Sequence, residues 1–170
     1  MLLGGLCIWA LFVSCSDTPE KTPPTINTPN PPISSIESEI APFLKRAQQL
    51  LAEGKFQEAV TVCQDGLKID STSVYLLNIM ATSYASEGRY ALAIESLEQI
   101  LSLEPQRALT YLNLGGIYTK LGQYEQAEPL LHQALEYAPN QPEIHRRLGE
   151  VFLGTDRFQE AAHHFSAALD

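Results

Sequence analysis

Side chains able to do chemistry are few in this chain and far apart. The four histidines stand at 132, 145, 163 and 164. His163 and His164 are neighbours, so on a helix they point about 100° apart and cannot turn to one centre together. All four read as surface residues of helices. The three cysteines, Cys7, Cys15 and Cys63, match neither a zinc spacing nor a CxxC redox pair. No HExxH, GxSxG, Walker loop or GxGxxG occurs. The carboxylates are spread at helix-surface spacing, and no pair is singled out for acid–base work. The residues therefore predict no catalytic site, no metal site and no cofactor. Cys63 reads as a small buried hydrophobe rather than a reactive thiol.

Composition narrows the class. The chain has 170 residues, 45% of them apolar, and a formal net charge of −9. That apolar share suits a packed helical or globular chain rather than a disordered one. The negative charge repels phosphate backbones and argues against nucleic acid as a partner.

The first 35 residues read as a separate device. Residues 2–13 form an apolar run of about a dozen residues. A bilayer-spanning helix needs ~20 apolar residues, so the run has signal-peptide length instead. It stops at Ser14-Cys15-Ser16. The stretch LFVSCS resembles the lipobox of bacterial lipoproteins, in which the signal peptide is cut before a cysteine that then carries lipid. Val13 and Ser14 fit the positions before the cut, and the resemblance makes Cys15 the lipidated residue. Phe12 stands where that family usually has Leu, and no Lys or Arg precedes the run. An ordinary residue after a cleaved signal, or part of a membrane anchor, are the other readings of Cys15. Residues 16–34 hold six prolines and four threonines. Such a tract predicts an extended spacer reaching up to about 60 Å at ~3.1 Å per residue. The expected organisation is a signal peptide over 1–14, a lipidated cysteine and tether over 15–35, and a folded unit over 36–170.

The folded unit repeats itself. FLKRAQQLLAEGKFQEA from Phe43, LNIMATSYASEGRYALA from Leu77, YLNLGGIYTKLGQYEQA from Tyr111 and HRRLGEVFLGTDRFQEA from His145 lie 34 residues apart. Leu50, Tyr84, Tyr118 and Phe152 close a first helix. Gly54, Gly88, Gly122 and Asp156 follow as turn residues that tolerate the left-handed backbone ending a helix. Phe56, Tyr90, Tyr124 and Phe158 open a second helix, and Ala59, Ala93, Ala127 and Ala161 let the two helices approach. Cys63, Leu97, Leu131 and Phe165 continue that face. Pro105 and Pro139 end two copies. Pro42 is expected in the first turn of its helix, and Pro129 inside a second helix, which it would bend.

These columns resemble the tetratricopeptide repeat, most fully over 108–141, where Leu114-Gly115, Tyr118, Gly122, Tyr124, Ala127 and Pro139 fall in family positions. The resemblance implies an all-α fold: a helical-hairpin solenoid, a right-handed superhelix of antiparallel helix pairs, with repeats at about 40–73, 74–107, 108–141 and 142–170. At its last hairpin Phe165, Ala161 and Ala168 are expected to leave an apolar end, which favours self-association there.

The resemblance also implies where a partner binds. First-helix residues of the family face a concave groove that takes peptides or partner segments. The matching positions are Leu44, Lys45 and Gln48; Tyr75, Asn78, Ile79 and Thr82; Leu109, Leu112, Asn113 and Gly116; and Glu143, Arg146, Arg147 and Glu150, with Lys120 at the mouth. Asn113 matches a position whose amide can pair with a bound main chain. The family's clamp for a terminal carboxylate is expected to be absent, because Asn78 and Glu143 stand where lysines are needed. The groove is expected to be apolar around Tyr75, Leu109 and Leu112 and basic near Arg146 and Arg147. The resulting expectation is a non-enzymatic scaffold on a lipid anchor, resembling bacterial lipoproteins of this repeat class that help assemble envelope machinery. Ser16, rather than Asp, after the cysteine points to the outer membrane, facing the periplasm, where the cell has one. An accessory domain or fragment of a larger envelope enzyme, and a self-associating structural protein, are the rival readings.

Overall fold

The computed structural model describes residues 33–169, with side chains from residue 37. The signal peptide over 1–14, Cys15 and most of the tether lie outside the described residues. Eight helices, and no strand, make up the described residues: α1 Ile33–Ala52, α2 Phe56–Leu67, α3 Val74–Ser86, α4 Tyr90–Leu103, α5 Ala108–Lys120, α6 Tyr124–Tyr137, α7 Pro142–Gly154 and α8 Phe158–Ala167. None of them is long and apolar enough to cross a membrane.

One local device makes each hairpin. The turn residue takes positive φ: 73°, 75° and 71° at Gly54, Gly88 and Gly122, and 59° at Asp156. This lets the next amide turn back onto the helix it has left. Lys55 donates to the Leu50 carbonyl, Arg89 to Tyr84, Gln123 to Tyr118 and Arg157 to Phe152, each at 2.9 Å. That bond closes the orphan carbonyls at a helix end. The residue at the end of each first helix thus supplies both a core side chain and the carbonyl that shapes the turn.

Packing joins the hairpins. Within copies, α1 packs on α2, α3 on α4, α5 on α6 and α7 on α8. Between copies, α2 meets α3, α4 meets α5, and α6 meets α7. Ala59, Ala93, Ala127 and Ala161 are all buried at the helix crossings. A small side chain there allows the close approach that brings Leu97, Leu131 and Ile100 out of water. Close approach also comes from glycine: a Cβ on Gly115 would stand 2.6 Å from Leu131 Cγ.

Two expectations change. Pro42 lies in the interior of α1, because that helix begins at Ile33, within the span expected to be tether. The ring takes one backbone donor from the helix, but its position is exposed. At the other end, Ala161 is buried and Phe165 folds inward: a Cβ on Gly149 of α7 would stand 2.6 Å from the Phe165 ring. The bare apolar residues there are instead Leu153, Phe158 and Leu169.

Candidate functional site

Along the row of first helices, α1 packs on α3 and α5 on α7, but α3 and α5 make no comparable contact. A cavity of about 420 Å³ opens between them. From α3 it takes Ala81, Thr82, Ala85 and Ser86; from α5, Leu109, Leu112, Asn113, Gly116, Ile117 and Lys120; from the α7 side, Gln141, Glu143 and Arg147. The α3 residues at 81, 82, 85 and 86 present only short side chains to it. Gly116 extends it: a Cβ there would meet nothing nearer than Arg147 Cζ and Nε at 3.8 Å. The volume falls within the ~300–1,000 Å³ of small binding sites.

The floor is apolar and the rim polar. Leu112 and Ile117 are buried, whereas Leu109 is 45% exposed. Asn113 Nδ2 donates to Asn78 Oδ1 at 3.4 Å, linking α5 to α3. Thr82 Oγ1 donates to the Asn78 carbonyl at 2.8 Å. The Asn113 side-chain amide lines the cavity, and its carbonyl oxygen is a group able to accept from a main-chain N–H.

The expected basic character is largely neutralised. Arg146 donates to Glu143 and Glu150, and Arg147 Nε donates to Glu143 Oε1 at 3.0 Å and Nη1 to Glu150 Oε2 at 3.3 Å. The Arg146 bond holds the Glu143 carboxyl below its ordinary pKa. These spacings of three and four residues along α7 place the four charges on one helical face. Lys120, exposed at the rim, has no carboxylate in ion-pair reach among the described residues.

Of the residues singled out from the sequence, the cavity gathers Thr82, Leu109, Leu112, Asn113, Gly116, Lys120, Glu143 and Arg147. Tyr75 is 65% exposed near the start of α3 and does not line it; nor do Asn78 and Arg146. Ile79 is buried with Ala47, Cys63 and Leu76, not in the groove. Leu44, Lys45 and Gln48 on α1 lie outside the cavity. Ala81, Ala85, Ser86, Leu97, Ile117 and Gln141 line the cavity without standing in the expected groove positions.

Elsewhere the histidines come together, against the reading of four separate surface side chains. His145 Nδ1 and His164 Nδ1 are 3.0 Å apart, so one ring donates and the other accepts. His132 and His163 approach the His164 ring to 6.5 and 5.3 Å between centroids. The earlier copies hold Phe43 with Val62, Leu77 with Ser96, and Tyr111 with Leu130 where this one has His145 with His164. Among the described residues no three His, Cys, Asp or Glu side chains gather so as to hold a metal ion. Cys63 is buried, and that burial pushes its thiol pKa up to about 12, so it is no thiolate near neutrality.

A family model described as Tetratricopeptide repeat matches residues 84–146 and 122–170. The tetratricopeptide repeat and J domain-containing co-chaperone DNJ1 of Cryptococcus neoformans is 34% identical over 65 residues, which is 38% of this chain and 12% of that protein. The chain thus corresponds to a small part of that curated relative. The crystal structure of MamA aligns with a TM-score of 0.70 over 80% of this chain and 82% of that one, at 19% identity. MamA 41-end from Desulfovibrio magneticus RS-1 aligns with a TM-score of 0.70 over 76% and 73%, at 25% identity. YrrB, described as a TPR protein with an unusual peptide-binding site, aligns with a TM-score of 0.64 over 79% and 72%, at 22% identity. Two of these structural likenesses fall under 25% identity and show the fold alone.

Proposed function

This chain belongs to the tetratricopeptide repeat family, and from that premise we propose that it is a non-catalytic scaffold binding a protein segment in the cavity between α3, α5 and α7. The observation that carries this reading is the cavity itself. It offers an apolar floor at Leu112 and Ile117, an amide at Asn113 and an uncompensated cation at Lys120. An extended segment with one apolar side chain and a nearby acidic group matches those three features in order. Arg147 orients rather than attracts, because Glu143 and Glu150 already balance it. The peptide-binding site named for YrrB supports a peptide as the ligand class.

We place the scaffold on a lipid anchor at Cys15, in a bacterial envelope and on the outer membrane's periplasmic face where one exists. The apolar run, the small residues around Cys15 and the proline tract support this. Affinity capture with the full chain tests the site. Lys120→Glu and Leu109→Asp both change exposed positions, so they spare the core. Each is expected to remove the captured partners; a partner set unchanged in both variants excludes the cavity. Palmitate labelling tests the anchor, and equal labelling of Cys15→Ala rejects it.

A further inference from the structure

Four copies of one repeat let a position be compared with itself. Where α7 packs on α8, the last copy has His145 and His164. The copies before it have Phe43 with Val62, Leu77 with Ser96, and Tyr111 with Leu130 at those places. Three hairpins thus close there without an imidazole, so the fold does not require one. In the last copy the two rings meet through their nitrogens. His145 Nδ1 stands 3.0 Å from His164 Nδ1, with the ring centroids 5.2 Å apart and the planes inclined by 31°. The Phe152 ring covers one side of His164, its centroid at 5.2 Å. Both histidines are half-buried, so water still reaches them. When each ring carries its proton on Nε2, both Nδ1 lone pairs are free for a single cation.

We propose that His145 Nδ1 and His164 Nδ1 together bind one divalent ion of tetragonal preference, copper(II) or nickel(II), as adjacent ligands, with water in its other positions. Spacing points to that geometry. Two metal–nitrogen bonds of ~2.0–2.1 Å at a right angle put the nitrogens about 2.9 Å apart, and at a tetrahedral angle about 3.4 Å apart. The observed 3.0 Å matches the right angle.

The donor set agrees with the spacing. Imidazole suits copper, nickel and zinc, whereas magnesium and calcium take oxygen ligands. The carboxylates that approach the cluster are already engaged. Glu128, 3.9 Å from His132 Nε2, accepts from Arg157 Nη1 at 2.9 Å through both oxygens. Glu160, one turn before His164, accepts from Arg157 Nε at 2.7 Å. His163 is exposed and stands edge-on to His164 at 77°, and the exposed His132 ring lies 6.5 Å from it between centroids. The site therefore has two protein ligands, and no third joins them among the described residues. An ion held there ties α7 to α8 and adds its binding free energy to the stability of the last hairpin. No histidine lines the cavity between α3, α5 and α7, so the ion site stands apart from the partner site.

Calorimetric titration of the full chain with nickel chloride tests the site; nickel(II), unlike copper(II), leaves thiols unoxidised. The expected result is saturable uptake of nickel and a thermal midpoint that rises with it. His145→Tyr and His164→Leu introduce the side chains that the third copy carries at this crossing, so the hairpin keeps its packing. Each is expected to bind nickel at least about tenfold more weakly, the loss that even an outer partner of a metal ligand brings, and to lose the rise in midpoint. His163→Gln is expected to keep both, and magnesium chloride to produce neither. No nickel uptake by the unaltered chain, uptake that survives both ligand variants, or an equal loss in His163→Gln would overturn the proposal. Zinc chloride bound more tightly than nickel would overturn the tetragonal geometry.

Discussion

Gly115 and Gly116 are adjacent, chemically identical and on the same helix, yet an added methyl group should move stability in opposite directions at the two. Replacing a helix-interior glycine by alanine contributes about 1 kcal/mol through backbone entropy. At Gly116 nothing opposes that gain, because the nearest atoms to a new Cβ are Arg147 Cζ and Nε at 3.8 Å. Gly116→Ala is therefore expected to stabilise by about 1 kcal/mol. At Gly115 the new Cβ would stand 2.6 Å from Leu131 Cγ and 2.7 Å from Cδ2. Leu131 is fully buried and cannot swing aside. Overpacking of this kind costs about 1–3 kcal/mol, so Gly115→Ala should come out between neutral and about 2 kcal/mol destabilising. The helix term cancels in the difference between the variants, which isolates the packing cost. Urea unfolding followed by circular dichroism reads it. With a slope of about 2 kcal/mol per M, a 2 kcal/mol difference separates the midpoints by about 1 M. Truncating Leu131 to Ala should shrink the penalty at 115, though not its own cavity cost. Midpoints that coincide within about 0.3 M, or that fall in reversed order, would refute the reasoning. The same geometry gives a functional handle. Gly116→Leu should fill the cavity floor, keep the fold and lose the captured partner.

Two further effects follow from single positions. Thr110 Oγ1 is buried without a hydrogen-bond partner among the described residues, at a position filled by Leu76 and Ile144 in neighbouring copies. Thr110→Val should raise stability by about 1 kcal/mol in the same urea assay, and a loss would show that the hydroxyl is satisfied. His164 is held below the ordinary imidazole pKa, first by burial and then by charge on His145, His163 and His132, with Glu160 opposing. The unfolded chain thus takes its proton at higher pH than the folded one. The stability involved is fully present above about pH 6.5 and is lost as pH falls through the lowered folded value. Thermal midpoints should drop on acidification from about pH 7 to about pH 5, and His164→Leu should flatten that drop. An equal drop in the variant would assign it to other groups.

The hairpins were legible from sequence because each is specified locally. Four turn residues able to take positive φ, four crossing alanines and a common period left little choice about where helices start, stop and touch. Eight cavity residues, Thr82, Leu109, Leu112, Asn113, Gly116, Lys120, Glu143 and Arg147, also follow from their position in the repeat. Tyr75 and Ile79 stood in comparable positions, yet one points to solvent and the other into the core.

What the sequence by itself determined is therefore the repeated unit: two helices, a left-handed turn and a small-residue crossing, all set by contacts within a few dozen residues. Tertiary structure decided whatever depends on how one copy meets the next. It separates Gly115, pressed on Leu131, from Gly116, open to the cavity. It gathers His132, His145 and His164 from three helices. The cavity itself arises because α3 and α5 stand apart while their neighbours close. The physical reason is that a repeat pattern records which face a residue occupies. The distance between two faces is set by the side chains of both helices at once.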